Sequence, residues 1–242
     1  MKKKPRTLTV LDLLVQLYPD LPREKLYSRV LCAEVVIDGS VIRDPKASVS
    51  ADAEVTLSSK KFVSRGGFKL DPALEAWSVV VAGKVFLDAG SSTGGFTDAL
   101  LQRGALSVHA VDVGVGQLDW KLRVDPRVVV REGTNIMEVE ALSPVPHAAV
   151  ADLSFRSLRG AASKILSLTQ EGWMIALIKP QFEWVQPPSD FQGVVPDGRL
   201  EEILEVLERD LRDEGVTLAE RMPSAVRGRR GNQEFLGRLV RR

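Results

Sequence analysis

The sequence predicts an α/β fold, in which a doubly wound, mostly parallel, Rossmann-like sheet follows a small N-terminal α+β domain. From residue 83 onward, short apolar segments alternate with helix-forming segments, which is typical of parallel strands joined by right-handed crossovers. A glycine-rich stretch, "DAGSSTGGF", joins the first of these strands to its helix. The first sixty residues lack this alternation and read instead as two helices followed by short strands.

The N-terminal segment divides into five predicted elements. "TVLDLLVQLY" has apolar residues at the spacing of one helical face, namely Leu11, Leu14, Val15 and Tyr18. "LPREKLYSRVLCAE" predicts a second helix that begins near Pro22, with Leu26, Val30 and Leu31 as its apolar residues. "VVIDGSVIRD" predicts two strands around an Asp-Gly turn, and "DAEVTLSS" predicts a closing strand.

A connector separates this segment from the larger domain. In "KKFVSRGGFKLDPALEAW" we expect Gly66 and Gly67 to break regular structure and Lys69 to lie near the opening of the next helix. The predicted division is therefore a first domain over 1–60, a connector over 61–69 and a second domain over 70–242.

Composition limits the protein class. With 242 residues, 44% hydrophobic and 27% charged, the chain is expected to be an ordinary globular protein. No apolar run approaches the roughly 18 residues of a membrane-spanning helix, and Asp12 and Gln16 interrupt the apolar start that imitates a signal peptide. The single Cys32 excludes an internal disulfide and suits a reducing cytoplasm. Together with the distant His109 and His147 it offers no metal-site spacing, so no metal is expected.

Charge is unevenly distributed along the chain. The net charge is +1, yet residues 1–69 carry a net +5 and residues 70–242 a net −4. A basic N-terminal segment suggests contact with a polyanion, and Arg23, Lys25 and Arg29 cluster on or near the second helix, available to phosphates. Solvated surface charge is the alternative.

Charged residues end four predicted strands of the larger domain. Asp88 follows "VFL", Asp112 follows "HAV", Asp152 follows "AVA" and Lys179 follows "WMIALI". Ligands of open α/β sheets bind at the carboxyl ends of the strands, so these side chains are expected to face one crevice. Singly, each carboxylate could be a helix cap or a strand end. Lys179 could be a catalytic base, a phosphate anchor or a solvated strand end.

The loop "DAGSSTGGF" is neither the G-x-G-x-x-G fingerprint nor a P-loop, because no Gly-Lys-Ser/Thr follows. Its glycines allow the backbone to pass close to a ligand. Asp88 at its start would repel a pyrophosphate but suits a cationic or hydroxyl-rich cofactor, which favours S-adenosylmethionine. Asp112 is at the position that usually binds ribose hydroxyls. A purely structural turn is the alternative.

Six motifs occur in the order "SRGGFKL", "DAGSSTGGF", "VDVG", "ADLSF", "KPQFE" and "GNQEF". In this order they resemble the TlyA-type proteins, two-domain ribosomal RNA methyltransferases that are often named hemolysins and whose catalytic domain is FtsJ-like. The N-terminal segment resembles the small RNA-binding domain that this family shares with a ribosomal protein. The resemblance spans essentially the whole chain.

The resemblance implies residue roles. A catalytic tetrad would comprise Lys69, Asp152, Lys179 and Glu234, with Lys179 taking the proton from a ribose 2′-hydroxyl, Lys69 and Asp152 steering it and Glu234 orienting the nucleotide. The implied residues for S-adenosylmethionine are Asp88, Gly90, Ser92, Gly94, Gly95, Phe96, Asp112, Asn135 and Asp152. The implied RNA-binding residues are Arg23, Lys25, Arg29, Arg65 and Lys69.

The sequence therefore predicts a cytoplasmic enzyme that methylates a ribose 2′-hydroxyl, of cytidine by resemblance, in ribosomal RNA within ribosomal subunits. A membrane-active cytolysin is one alternative, but no spanning segment, secretion signal or basic amphipathic helix supports it. A non-catalytic RNA-binding protein is the other, and the intact tetrad argues against it.

Overall fold

A computed structural model of the chain describes residues 7–31, 34–57, 61–154 and 156–242. Cys32, on which the expectation of a reducing compartment depends, lies outside these residues. The described elements form one seven-stranded sheet, one three-stranded sheet and one two-stranded sheet.

The N-terminal segment folds as two helices against short antiparallel strands. Its elements are β1 Thr7–Thr9, α1 Val10–Leu17, α2 Arg23–Leu31, β2 Val35–Ile37, β3 Ser40–Ile42, β4 Ser48–Ser50 and β5 Val55–Leu57. The two predicted helices, the hairpin and the closing strand are confirmed, whereas the pairing of β1 with β4 is an addition. Thr9 begins α1, since its hydroxyl accepts a hydrogen bond from the Asp12 amide at 3.1 Å.

The buried faces of these helices differ in part from the predicted ones. In α1 the fully buried side chains are Val10, Leu13 and Leu14, and the rest of the predicted face is only partly buried. In α2, Leu26 and Val30 are buried as expected, but Leu31 is 46% exposed. Periodicity alone misplaces these faces because two short helices bury only narrow stripes against three-residue strands.

The seven-stranded sheet carries the larger domain. Its strands are β6 Val85–Ala89, β7 Ser107–Val111, β8 Val128–Arg131, β9 Ala148–Ala151, β10 Trp173–Ile178, β11 Val216–Pro223 and β12 Phe235–Arg241. Their spatial order is β11-β12-β10-β9-β6-β7-β8, with the five strands from β10 to β8 parallel and β12 antiparallel to both of its neighbours. The predicted mostly parallel, Rossmann-like sheet is therefore confirmed. The reversal of the chain order next to β6 opens a crevice at the carboxyl ends of β6 and β9.

Helices cover both faces of this sheet. They are α3 Arg65–Ala76, α4 Gly95–Gln102, α5 Trp120–Arg123, α6 Ala161–Ser167, α7 Pro180–Glu183 and α8 Leu200–Asp213, with 3-10 turns at Ile136–Glu138 and Asp197–Arg199. Two apolar cores, one on each face, surround the fully buried strands. Among the helices that the structure describes, none has the length and apolar character needed to cross a membrane.

Gly66 and Gly67 do not break regular structure, contrary to prediction, because both lie in the first turn of α3, which Ser64 caps. A Cβ on Gly67 would stand 2.3 Å from the Phe62 ring, and one on Gly95 would stand 2.9 Å from the Gly66 Cα. These glycines therefore allow α3 and α4 to approach closely. Helix α3 begins inside the predicted 61–69 connector; the domain division itself stays a prediction.

The N-terminal helices contact the larger domain through Asp119, the residue that begins α5. The Asp119 carboxylate accepts a hydrogen bond from the Ser28 hydroxyl of α2 at 3.0 Å. Its backbone amide donates to the Thr93 carbonyl at 3.2 Å. A cavity of about 420 Å³ lies at this junction, and Tyr27 and Trp120 are among the residues that line it.

Candidate active site

Two of the predicted tetrad residues meet where neighbouring parallel strands end. Asp152 follows β9 and Lys179 follows β10, and the Lys179 Nζ lies 2.7 Å from Asp152 Oδ1. The same ammonium donates to the Leu153 carbonyl at 2.8 Å and to the Ser154 hydroxyl at 3.2 Å. Lys179 is only 9% exposed, so these three oxygens replace the water that a surface lysine would have.

The other two tetrad residues form a second ion pair. Lys69 Nζ of α3 lies 2.6 Å from Glu234 Oε2, and the two residues are 8% and 3% exposed. Glu234 directly precedes β12, whose antiparallel register pairs Phe235 with Ile178. Continued by one residue, this register brings Glu234 beside Lys179. The four predicted residues therefore converge at one edge of the sheet.

A cavity of about 100 Å³ is lined by one member of each pair, Lys69 and Asp152. Its walls are Gly90–Thr93, Gly95 and Phe96 after β6, Ser64–Gly66 and Lys69 at the start of α3, and Asp152. Nucleoside-sized ligands usually occupy pockets of roughly 300 Å³ or more, so this cavity can enclose only part of one.

Asp88 lies fully buried beneath this cavity. Its Oδ2 accepts hydrogen bonds from the Thr97 amide at 2.9 Å and the Thr97 hydroxyl at 2.6 Å, whereas Oδ1 is buried with no partner within the described structure. Burial, together with the nearby Asp152 and Asp112 carboxylates, raises the pKa of Asp88 to about 7 against the opposing effect of the Thr97 hydrogen bonds. A buried oxygen without a partner, directly before the glycine loop, fits a ligand that brings hydrogen-bond donors, although Asp88 itself does not line the cavity.

The glycine loop, residues 90–94, has a left-handed backbone at three positions. Gly90, Ser92 and Gly94 have φ of 84°, 47° and 91°. A Cβ on Gly90 would stand 2.6 Å from the Asp152 carbonyl oxygen, so the small residue lets this loop touch the strand end that carries Asp152. Gly94 similarly leaves room for Leu122 at 2.2 Å from its missing Cβ.

Asp112 ends β7 as predicted and holds the glycine loop. One carboxylate oxygen accepts a hydrogen bond from the Ser92 amide at 2.8 Å and the other from the Gly114 amide at 2.7 Å. Asn135 caps a 3-10 turn, its side chain accepting from the Met137 amide at 3.1 Å, and is not among the residues lining the 100 Å³ cavity. The cofactor roles of both residues stay predictions.

The predicted RNA-binding residues lie in two places. On α2, Arg23 pairs with Asp12 at 3.0 Å, Arg29 pairs with Glu34 at 3.7 Å, and Lys25 is partly exposed. Arg65 lies instead at the start of α3, beside the cavity, and donates to the Arg227 carbonyl at 2.6 Å. Their contact with RNA stays a prediction.

One buried residue near Lys179, Glu183, was not predicted from the sequence. Glu183 of α7 is 2% exposed and accepts hydrogen bonds from the Ser157 hydroxyl, from the Leu158 amide at 2.9 Å and from Arg159 Nη1 at 3.0 Å. It thereby fixes the segment after β9 that supplies two acceptors to Lys179. A glutamate at the end of the apolar motif "KPQFE" was the available signal.

The raised pKa of Asp88 predicts a pH-dependent stability. Because the folded-state value of about 7 exceeds the ordinary 3.8, the folded protein binds this proton more tightly than the unfolded chain. The free energy of unfolding should therefore fall as pH rises from about 4 to about 7, by at most roughly 1.4 kcal/mol per pH unit. Urea unfolding of wild type and Asp88→Asn across this range measures it; the variant should lack this component, and identical pH profiles would contradict the assignment.

Replacing Glu183 by alanine should reduce both stability and turnover. The change leaves the Leu158 amide and Arg159 without their buried acceptor, which costs on the order of 2–4 kcal/mol. The loosened segment after β9 should also lower kcat, while cofactor affinity changes little. Chemical denaturation and single-turnover kinetics measure these effects. The matched control is Glu202→Ala, which removes an exposed partner of Arg199; an unchanged kcat in Glu183→Ala would leave Glu183 a purely structural role.

Comparison with known proteins identifies relatives of this chain. Residues 62–240 match the family described as FtsJ-like methyltransferase. The chain is 43% identical over 184 residues to the 16S/23S rRNA (cytidine-2'-O)-methyltransferase TlyA of Mycobacterium tuberculosis, an alignment that covers 74% of this chain and 69% of that protein.

Two further relatives carry a different name. Hemolysin A of Brachyspira hyodysenteriae is 34% identical over 224 residues, covering 90% of this chain and 93% of that one. A solved structure from Streptococcus thermophilus, also named a hemolysin, superposes with a TM-score of 0.73 at 34% identity, covering 98% of this chain and 89% of the other.

Proposed function

The chain belongs to the FtsJ-like methyltransferase family, and on that premise we propose that it transfers a methyl group from S-adenosylmethionine to a ribose 2′-hydroxyl of ribosomal RNA. The observation that carries the proposal is the pair of buried ion pairs, Lys69–Glu234 and Lys179–Asp152, at the cavity beside the glycine loop. We further propose cytidine as the nucleotide, on the name of the relative from Mycobacterium tuberculosis.

The residues around the cavity fit the proposed cofactor. The free Oδ1 of Asp88 offers an acceptor, and the glycine loop and Asp112 would hold the remaining polar groups of the cofactor. When bound, S-adenosylmethionine supplies an activated methyl group. The residues of the chain then have to position the nucleophile and remove its proton.

Lys179 is the proposed proton acceptor. A ribose hydroxyl is a weak nucleophile, so a base in hydrogen-bond contact has to take its proton as the new bond forms. In its neutral form Lys179 would accept that proton from a hydroxyl that replaces Ser154, its most distant partner at 3.2 Å. Asp152, 2.7 Å away, would stabilise the ammonium that forms.

Lys69 and Glu234 have a positioning role in this proposal. Their charges compensate each other in a nearly water-free site, which keeps the Lys69 ammonium fixed on the cavity wall. Glu234, beside Lys179, would then orient the nucleotide through the ammonium of Lys69 that it holds.

Incubation with methyl-labelled S-adenosylmethionine and purified ribosomal subunits tests the function. The expected result is label in RNA, at a nucleotide that resists alkaline cleavage because its 2′-oxygen is methylated. Subunits, protein-free ribosomal RNA and lipid vesicles should be compared in parallel. Absence of methyl transfer to every RNA would refute the proposal, and vesicle lysis by the pure protein would support the hemolysin name instead.

A further inference from the structure

Five exposed arginines lie on segments that carry or pack against the tetrad residues, and only Arg65 among them lines the 100 Å³ cavity. Three of them lie in the arginine loop, Arg227–Arg230, between β11 and β12. The others are Arg65 at the start of α3 and Arg156 in the segment after β9, and all five side chains are exposed.

The arginine loop is fixed against the candidate active site by its own backbone. A Cβ on Gly228 would stand 2.5 Å from Glu234 Oε1, so this glycine packs directly on the Glu234 carboxylate. The Gly228 amide donates to the Asn232 carbonyl at 2.9 Å, and the Arg227 carbonyl accepts from Arg65 at 2.6 Å. The backbone of Arg227 and Gly228 is thus held against Arg65 and Glu234, although no residue of the arginine loop lines the 100 Å³ cavity.

These five arginines lack acidic partners, a property that they share among the described residues with Arg43, Arg131, Arg241 and Arg242. Over the described residues, no carboxylate lies within 4.0 Å of the guanidinium of Arg65, Arg156, Arg227, Arg229 or Arg230. The arginines on the outer helix α8 behave differently, since Arg212 pairs with Glu208 at 2.8 Å and Arg209 approaches Asp210 at 3.4 Å. Uncompensated guanidinium groups around the tetrad are complementary to a polyanion, and a guanidinium matches a phosphate with two parallel hydrogen bonds.

We propose that the arginine loop, with Arg65 and Arg156, binds the backbone phosphates of the RNA that flank the methylated nucleotide. The inference rests on the proposed function, because it needs an RNA strand whose ribose reaches Lys179. The main contacts with the target strand would then lie at the edge of the sheet that carries the tetrad. The basic residues of α2 would contribute less, because Asp12 and Glu34 already partly neutralise them.

The test is a binding titration of Arg229→Ala/Arg230→Ala against protein-free small- and large-subunit ribosomal RNA at several salt concentrations. The Kd should rise about tenfold or more at low salt. The slope of log Kd against log salt should fall by roughly 0.7–0.9 for each phosphate that the variant no longer binds. A lysine pair at the same positions should restore most of the affinity, because it restores the charge.

The matched control is Arg241→Ala/Arg242→Ala. These residues lie at the end of β12 opposite to Glu234, where Arg241 pairs with Val216, and they are likewise exposed. Removing them changes the charge equally and should leave the Kd nearly unchanged. Melting temperature and S-adenosylmethionine affinity should match wild type in both double variants, since neither pair lines the 100 Å³ cavity.

Binding and methyl transfer are measured on the same preparations. If the Arg229/Arg230 variant binds RNA as wild type does, with the same salt slope, the inference is wrong even when wild type methylates RNA. An equal loss of affinity in the control would also overturn it, because the effect would then be one of net charge.

If wild type binds RNA through these arginines but methylates none, the proposed function fails while the surface assignment stands. The single variant Arg156→Ala tests the segment after β9 independently.

Discussion

Lys179→Ala is expected to lower the rate of methyl transfer by roughly 10²–10⁴-fold, the contribution typical of a positioned general base. Cofactor affinity should change little, because the Lys179 Nζ contacts Asp152, Leu153 and Ser154 and does not line the 100 Å³ cavity. Single-turnover assays and isothermal titration with S-adenosylmethionine measure the two quantities separately.

Lys179→Arg separates a base from a phosphate anchor. A guanidinium keeps the positive charge and binds phosphate well, but it does not lose its proton in proteins. If Lys179 is the base, the arginine variant should be as inactive as the alanine variant. Substantial activity in Lys179→Arg would make Lys179 an anchor and would refute the proposed proton transfer. Lys164→Ala on α6 controls for the loss of a lysine elsewhere.

Glu234→Gln should be the most destabilising change in the site. It leaves the Lys69 ammonium, 8% exposed, without a countercharge, and breaking a buried ion pair in this way costs about 3–5 kcal/mol. Lys69→Met should be comparably costly, because it strands the Glu234 carboxylate. Urea unfolding at constant pH measures the loss of unfolding free energy in each case.

The double variant Lys69→Met/Glu234→Gln distinguishes stability from catalysis. Without either charge it should recover most of the lost stability, yet methyl transfer should stay absent. The exposed pair Arg199–Glu202 provides the comparison, with a coupling energy of at most about 1 kcal/mol. Recovery of turnover along with stability would show that Lys69 and Glu234 serve the fold alone.

Local pattern was enough to predict the parts of the site that follow strands. Asp112, Asp152 and Lys179 each follow an apolar strand, and parallel strands present such ends at one edge, whereas Asp88 lies one residue before the end of β6 and is fully buried. The pairing of Lys69 with Glu234 spans 165 residues. No periodicity encodes it, and the resemblance to a family alone placed these two residues in the same site.

The wrong predictions concern packing between distant segments. Gly66 and Gly67 have low helix propensity, yet they lie in α3, where Phe62 leaves no room for a Cβ on Gly67 and where Gly95 of α4 packs on the backbone of both. Glu183 ends a motif that was noticed for its lysine, and its buried partners follow another strand. Tertiary packing decides both, and a single sequence contains no record of it.

Asp119 connects the N-terminal helices to the glycine loop through its hydrogen bonds. Its side chain accepts from α2 and its backbone supports Thr93, which lines both the 420 Å³ and the 100 Å³ cavities. Thermodynamic linkage makes any such coupling reciprocal. If a ligand bound at the N-terminal helices changes the affinity of the glycine loop by some factor, a ligand bound at the glycine loop changes the affinity of the helices by the same factor. Ser28→Ala removes the hydrogen bond from α2 to Asp119. Comparing this variant with wild type therefore measures the cooperativity that Asp119 carries between the two halves.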